Sequence, residues 1–99
     1  MSPGVFVVRV FGELDMASCP HVEDAVSSAP SMARVVIDLT RCTFVDSAGV
    51  RALVTAQRNV TAEGGRVDLV AAEPGILRVL EITNVDTVMT VHSTLETAL

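Results

Sequence analysis

The spacing of apolar and polar positions changes repeatedly along the chain. Val5 to Phe11 is β-branched and aromatic, broken only by Arg9 and closed by Gly12, which predicts a largely buried strand. Val22, Ala25, Val26 and Ala29 then share one helical face, while Glu23 and Asp24 lie on another. That helix starts at Ser18 or Cys19, has Pro20 in its first turn and stops at Pro30. Arg34 to Leu39 is a continuous apolar run of the kind found in strands covered on both faces, and Asp38 ends it by capping loop amides. Beyond a loop from Thr40 to Asp46, Ser47 to Glu63 carries Val50, Leu53, Val54, Gln57, Val60 and Thr61 along one helical stripe, and Gly64-Gly65 closes it. Arg66 to Ala71 predicts a third strand, and Pro74 opens a helix that turns Ile76, Leu77 and Leu80 inward. Val88 to Val91 predicts a short fourth strand. Ser93-Thr94-Leu95-Glu96 has capping-box spacing, so a terminal helix should start at Ser93.

Strand and helix therefore alternate four times, which predicts an α/β fold with a mainly parallel four-stranded sheet and four helices. Val36, Ile37, Leu39, Leu53 and Leu69 are its expected core. At 99 residues the chain suits a single domain, 1–99, with no linker or repeat. In such sheets function sits in loops leaving the carboxyl ends of the strands. Two loops qualify, Gly12 to Ser18 and Thr40 to Ser47, and they face the same side if their strands are neighbours.

Charge narrows the classes of partner. Seven basic residues, all arginine, stand against twelve acids, and the net charge of −5 repels nucleic acid and anionic membrane. Without Trp or Tyr there is no stacking platform for bases, and without lysine there is no Walker-type phosphate loop or Schiff base. The N-terminal stretch Met1 to Phe11 lacks a basic start, so it reads as a strand rather than a leader, and no apolar run approaches a membrane span. A cytoplasmic, protein-binding molecule with no cofactor is the expectation. Cys19 and Cys42 have no metal spacing; separate reduced thiols are the simpler reading and a regulatory disulfide the alternative.

Asp46-Ser47-Ala48-Gly49 falls where a buried strand gives way to a helix, which places Ser47 at or beside a helix N-terminus within reach of solvent. Asp and Ser are preferred N-caps and need no further role there. Gly49 inside the first turn weakens the helix by about 1 kcal/mol relative to alanine, so something must approach that turn closely.

Val35-Val36-Ile37-Asp38-Leu39 followed by Phe44-Val45-Asp46-Ser47-Ala48-Gly49-Val50 and Leu53 resembles the signature of STAS-domain anti-sigma factor antagonists. Gly12-Glu13-Leu14-Asp15 is similar to that family's first loop, and the Pro74 helix to its third helix, so the resemblance covers nearly the whole chain. It implies a STAS fold and a regulatory switch. The unmodified antagonist binds an anti-sigma factor that is also a serine kinase and so releases sigma factor; phosphorylation of the motif serine, here Ser47, reverses this and a phosphatase resets it. The resemblance assigns partner contacts to Asp15, Asp46, Ser47, Gly49 and Arg51, and places ATP on the kinase rather than on this chain. One departure is visible. Family members commonly begin with a two-strand hairpin, whereas one strand fits between Met1 and Phe11, leaving a strand edge at which a homodimer could form.

An enzyme reading has little support, since His21 and His92 have no nucleophile at a meaningful spacing and read as surface histidines. Asp38 and Asp46 lack the lysine and acidic pair of a receiver-type phosphoacceptor site. The alternative function is a STAS interaction module in a transport or scaffolding assembly, docking without a kinase cycle. Reversing the charge of Asp15 or Arg51 is expected to weaken partner binding without lowering the melting temperature.

Overall fold

The computed structural model describes residues 4–99, so residues 1–3 of the expected N-terminal strand lie outside the described residues. In chain order the elements are β1 (Val5–Leu14), α1 (Cys19–Ser27), β2 (Arg34–Val45), α2 (Ser47–Ala62), β3 (Arg66–Val70), α3 (Pro74–Ile82), α4 (Val85–Val88), β4 (Thr90–His92) and α5 (Leu95–Ala98). The four strands form one parallel sheet in the order β1-β2-β3-β4. Val8, Ile37, Leu69 and Val91 stand in one row across it.

Right-handed crossovers that step steadily in one direction bring successive helices to the same side of the sheet. Accordingly α1, α2 and α3 share a core with the side chains of one sheet face, where Val8, Val10, Ile37, Leu39 and Leu69 meet Val22, Leu53, Ala56, Ile76 and Leu80. Among the described residues the other face is covered by α5, whose Ala98 and Leu95 pack on Val36, Val70 and Val7. All five residues expected in the core are fully buried: Val36, Ile37, Leu39, Leu53 and Leu69.

The differences from expectation have local causes. Thr40 to Val45 is strand rather than loop, because Gly12, Glu13 and Leu14 pair with Cys42, Phe44 and Val45. Two register shifts let β2 carry extra residues against β1, and these bulges break the period-two pattern by which a strand is recognised. Asp38 does accept the Thr40 amide, at 3.0 Å, but the strand runs on past it. Helix α2 buries Gly49, Ala52, Leu53, Ala56 and Val60, so the stripe is rotated towards small residues; Thr61 is exposed and Gln57 half-buried. In α3 only Ile76 and Leu80 are buried, and Leu77 faces outward. A fifth helix, the single turn α4, takes up Val88; Asn84 enters it with φ 60°, a conformation asparagine tolerates. The last helix is capped by Thr94, which accepts the Thr97 amide at 3.2 Å, rather than by Ser93.

One charged cluster joins the starts of β2 and β3 to the other end of the chain. Asp68, with no solvent exposure, receives Arg34 Nη2 at 2.9 Å, Arg66 Nε at 2.8 Å and lies 3.1 Å from His92 Nε2. Burial pushes the Asp68 carboxyl up, and hydrogen bonds from Arg34, Arg66 and His92 outweigh that and hold it below its ordinary value. Arg34 also donates to the Leu99 carbonyl at 3.1 Å, tying the end of α5 to the sheet. His92 is therefore part of a buried ion cluster and not the surface histidine expected, whereas His21 is exposed.

Candidate functional site

The two loops singled out in the sequence do meet, at the carboxyl ends of β1 and β2. The register that pairs Leu14 with Val45 brings Asp15 beside Asp46, and the Asp46 amide donates to the Leu14 carbonyl at 3.3 Å. Asp15 Oδ1 accepts the amides of Ala17 and Ser18 at 3.1 and 3.0 Å. Ser18 accepts the Asp15 amide at 2.9 Å and donates to the Glu13 carbonyl at 2.7 Å. The loop entering α1 is thus closed on itself by its own polar side chains, as Asx turns are.

On α2 the N-cap is Asp46, whose Oδ1 accepts the Gly49 amide at 2.9 Å. Ser47 is the first residue of the helix, exposed, and its hydroxyl makes no hydrogen bond among the described residues. A single carboxylate therefore does the capping, and the serine beside it is left with no structural task. Gly49 is buried, and a Cβ there would lie 2.4 Å from the Leu14 carbonyl oxygen. The close approach that its presence suggested is made by the protein's own β1. Arg51 is exposed one turn further along, with no ion-pair partner among the described residues. Of the five expected contact residues, Ser47 and Arg51 are open to solvent, Asp15 and Asp46 are half-buried, and Gly49 is enclosed.

Both cysteines lie near this end. The Cys19 thiol donates to the Ala48 carbonyl at 3.4 Å, linking α1 to the first turn of α2, and Cys42 donates to the Phe44 carbonyl at 3.3 Å. Burial, and then the charges of Asp46, Glu23 and Asp15, push the Cys19 thiol up. Burial also raises Cys42, over the opposing hydrogen bonds of the Phe44 and Leu14 backbone. Both therefore stay protonated and weakly nucleophilic near neutrality.

Sequence reasoning missed the apolar rim. Met16, at the tip of the β1–α1 loop, is 78% exposed, and Phe44 near the end of β2 is 49% exposed. The signal was available, since methionine in a loop of capping residues has no core to enter. No helix among the described residues is long and apolar enough to cross a membrane.

Comparison with known proteins gives a consistent picture. The sequence profile of the family described as "Mlab, STAS domain" matches residues 1–93. The chain is similar to an anti-sigma factor antagonist from Mycobacterium paratuberculosis, with 32% identity over 99% of this chain and 85% of that one, at a TM-score of 0.82. It is also similar to the anti-sigma factor antagonist SpoIIAA of Bacillus in its unphosphorylated form, with 25% identity, coverage of 98% and 86%, and a TM-score of 0.76. The STAS domain of a SulP transporter from Vibrio cholerae has the same fold at 17% identity, covering 99% of this chain and 80% of its own, with a TM-score of 0.79.

Proposed function

The chain belongs to the STAS domain family, and from that premise we propose that it is an anti-sigma factor antagonist switched off by phosphorylation of Ser47. The observation that carries this reading is the division of labour at the start of α2: Asp46 holds the Gly49 amide, and the Ser47 hydroxyl beside it is exposed and free. A kinase can reach that hydroxyl without unfolding the helix. The unmodified protein binds an anti-sigma factor with serine kinase activity through Ser47, Arg51 and the adjoining Asp15 loop, and sigma factor is released. The 32% identity to an antagonist, against 17% to the transporter domain, favours this role over docking in a transport assembly.

Phosphate on Ser47 adds about −1.5 to −2 charges next to Asp46. Gly49's amide is already taken, so the added charge lies outside the fold, and its cost falls on binding: it needs desolvation at the contact and fills space the partner occupies. A phosphatase restores the free serine. The test is calorimetric titration with the cognate anti-sigma factor, alongside mass spectrometry of the chain after incubation with that protein and ATP. Ser47→Ala should bind and stay unlabelled, while Ser47→Asp should fold normally and bind at least roughly tenfold more weakly. Label on another residue, or Ser47→Asp binding like the unmodified chain, overturns the assignment; binding partners but no labelling at all is the result a transport or scaffold module would give.

A further inference from the structure

Strand β1 is paired along one side only, to β2, and over Val5–Phe11 its outer edge has no partner among the described residues. Unpaired backbone groups along a strand edge are a template for another strand. Alternation sends Val8 and Val10 into the core, so Val5, Val7, Arg9 and Phe11 point to the opposite face, away from α1, α2 and α3. The two ends of that row are exposed and apolar, Val5 at 39% and Phe11 at 68%, while Val7 and Arg9 lie between them. Such a row is complementary to itself when one copy is reversed.

We infer that a second copy of this chain docks against this edge, β1 antiparallel to β1 about a two-fold axis at Val8, to form one continuous eight-stranded sheet. The axis is selected by what each alternative leaves facing what. At Val8, Val5 lies opposite Phe11 of the second copy, Phe11 opposite its Val5, and Arg9 opposite its Val7, whose surface the arginine stem can cover. An axis at Arg9 sets two guanidiniums against each other, and one at Val7 leaves Phe11 beyond the end of the pairing. An axis at Phe11 would bring Arg9 opposite Glu13, but Gly12 there has φ 76° and the Glu13 carbonyl is already bonded to the Ser18 hydroxyl. The regular part of the edge therefore ends at Phe11. Because the two β1 strands run in opposite directions, the two Ser47 ends point apart and stay uncovered, so this pairing is independent of the proposed switch.

A single strand edge makes a small interface, and two copies each at −5 repel, so the dimer is concentration-dependent and is strengthened by salt. Sedimentation velocity on the purified chain over a dilution series should show a monomer–dimer equilibrium. Phe11→Glu, at an exposed position, should weaken it by at least roughly tenfold, because the new carboxylate faces Val5 of the second copy and adds to the repulsion between two acidic chains. The double variant Val5→Arg/Phe11→Glu should restore it, because in this register the two new charges are opposite in sign and face each other. Amide hydrogen exchange needs no substitution: protection within Val5–Phe11 should rise with protein concentration. A monomer at every concentration, exchange in β1 that ignores concentration, Phe11→Glu that dimerises like the parent, or a double variant as weak as Phe11→Glu alone overturns the proposal.

Discussion

Where β1 and β2 stop, Asp15 and Asp46 give their carboxylates to main-chain amides; at the starts of β2 and β3, Asp68 gives its carboxylate to two guanidiniums and an imidazole. The first arrangement fixes the backbone and ties down no long side chain, so Ser47, Arg51 and Met16 remain in solvent. The second removes a charge from water altogether and ties β2, β3, β4 and the end of α5 together. One residue type thus builds an accessible end and a locked one, according to whether its partner is a backbone amide or another charge. A modifying enzyme can reach Ser47 at the first without disturbing the fold, whereas the Asp68 carboxylate at the second is out of reach while the fold is intact.

The locked end should give the largest effect. Asp68→Ala removes the hydrogen bonds that a buried carboxylate makes with Arg34, Arg66 and His92, and should cost about 3 kcal/mol in chemical denaturation. The pH dependence follows from the lowered carboxyl value. Asp68 stabilises the fold fully above its unfolded value near 3.8, and that contribution is lost as pH falls through the lower folded value. The parent should therefore lose stability below about pH 4 more steeply than Asp68→Ala does. If the two acid limbs run parallel, the cluster is no stronger than a surface ion pair.

The seam of the accessible end comes next. In an open helix Gly→Ala stabilises by up to about 1 kcal/mol, but at Gly49 the new methyl meets the Leu14 carbonyl oxygen at 2.4 Å. Gly49→Ala should instead cost about 1–3 kcal/mol by thermal melting, with the sign of the change deciding whether β1 closes on α2 as described.

The smallest effects separate Asp15 from Arg51. Asp15→Ala releases the Ala17 and Ser18 amides and should cost about 1 kcal/mol, whereas Arg51→Glu should stay within about 0.5 kcal/mol of the parent. The hydrogen bonds of Asp15 therefore predict that reversing its charge lowers stability as well as binding, whereas reversing Arg51 touches binding alone. Calorimetric melting of the two variants side by side would sharpen the contrast, and equal melting temperatures would erase it.

The alternation of elements, the five core residues and the exposure of Ser47 were legible because each rests on a local pattern. The roles within Asp46-Ser47 were not, since aspartate and serine cap equally well and only the Gly49 amide shows which one is used. Thr40 to Val45 reads as a loop because the register shifts between Arg9 and Phe11 and between Gly12 and Glu13 of β1 erase alternation in the strand opposite. Hydropathy favoured Val50 and Val54 over Ala52 and Ala56, yet close packing on a sheet selects the smaller side chains. Asp68 was absorbed into an apolar strand because its partners Arg34 and His92 lie 34 and 24 residues away, beyond any local window.

Chain order and spatial order coincide in this sheet, β1-β2-β3-β4, and that has a consequence for synthesis. A domain made at about 5–20 residues per second emerges N-terminus first, and here each new strand finds its only earlier neighbour already outside the ribosome. The Leu14–Asp46–Gly49 seam uses nothing beyond α2, so it can assemble before β3 has left the exit tunnel, whereas Asp68 must wait for His92. The contacts that set the Ser47 turn are thus encoded upstream of those that lock the other end, although Ile37 and Leu53 complete their core only when Leu69, Ile76 and Leu80 arrive.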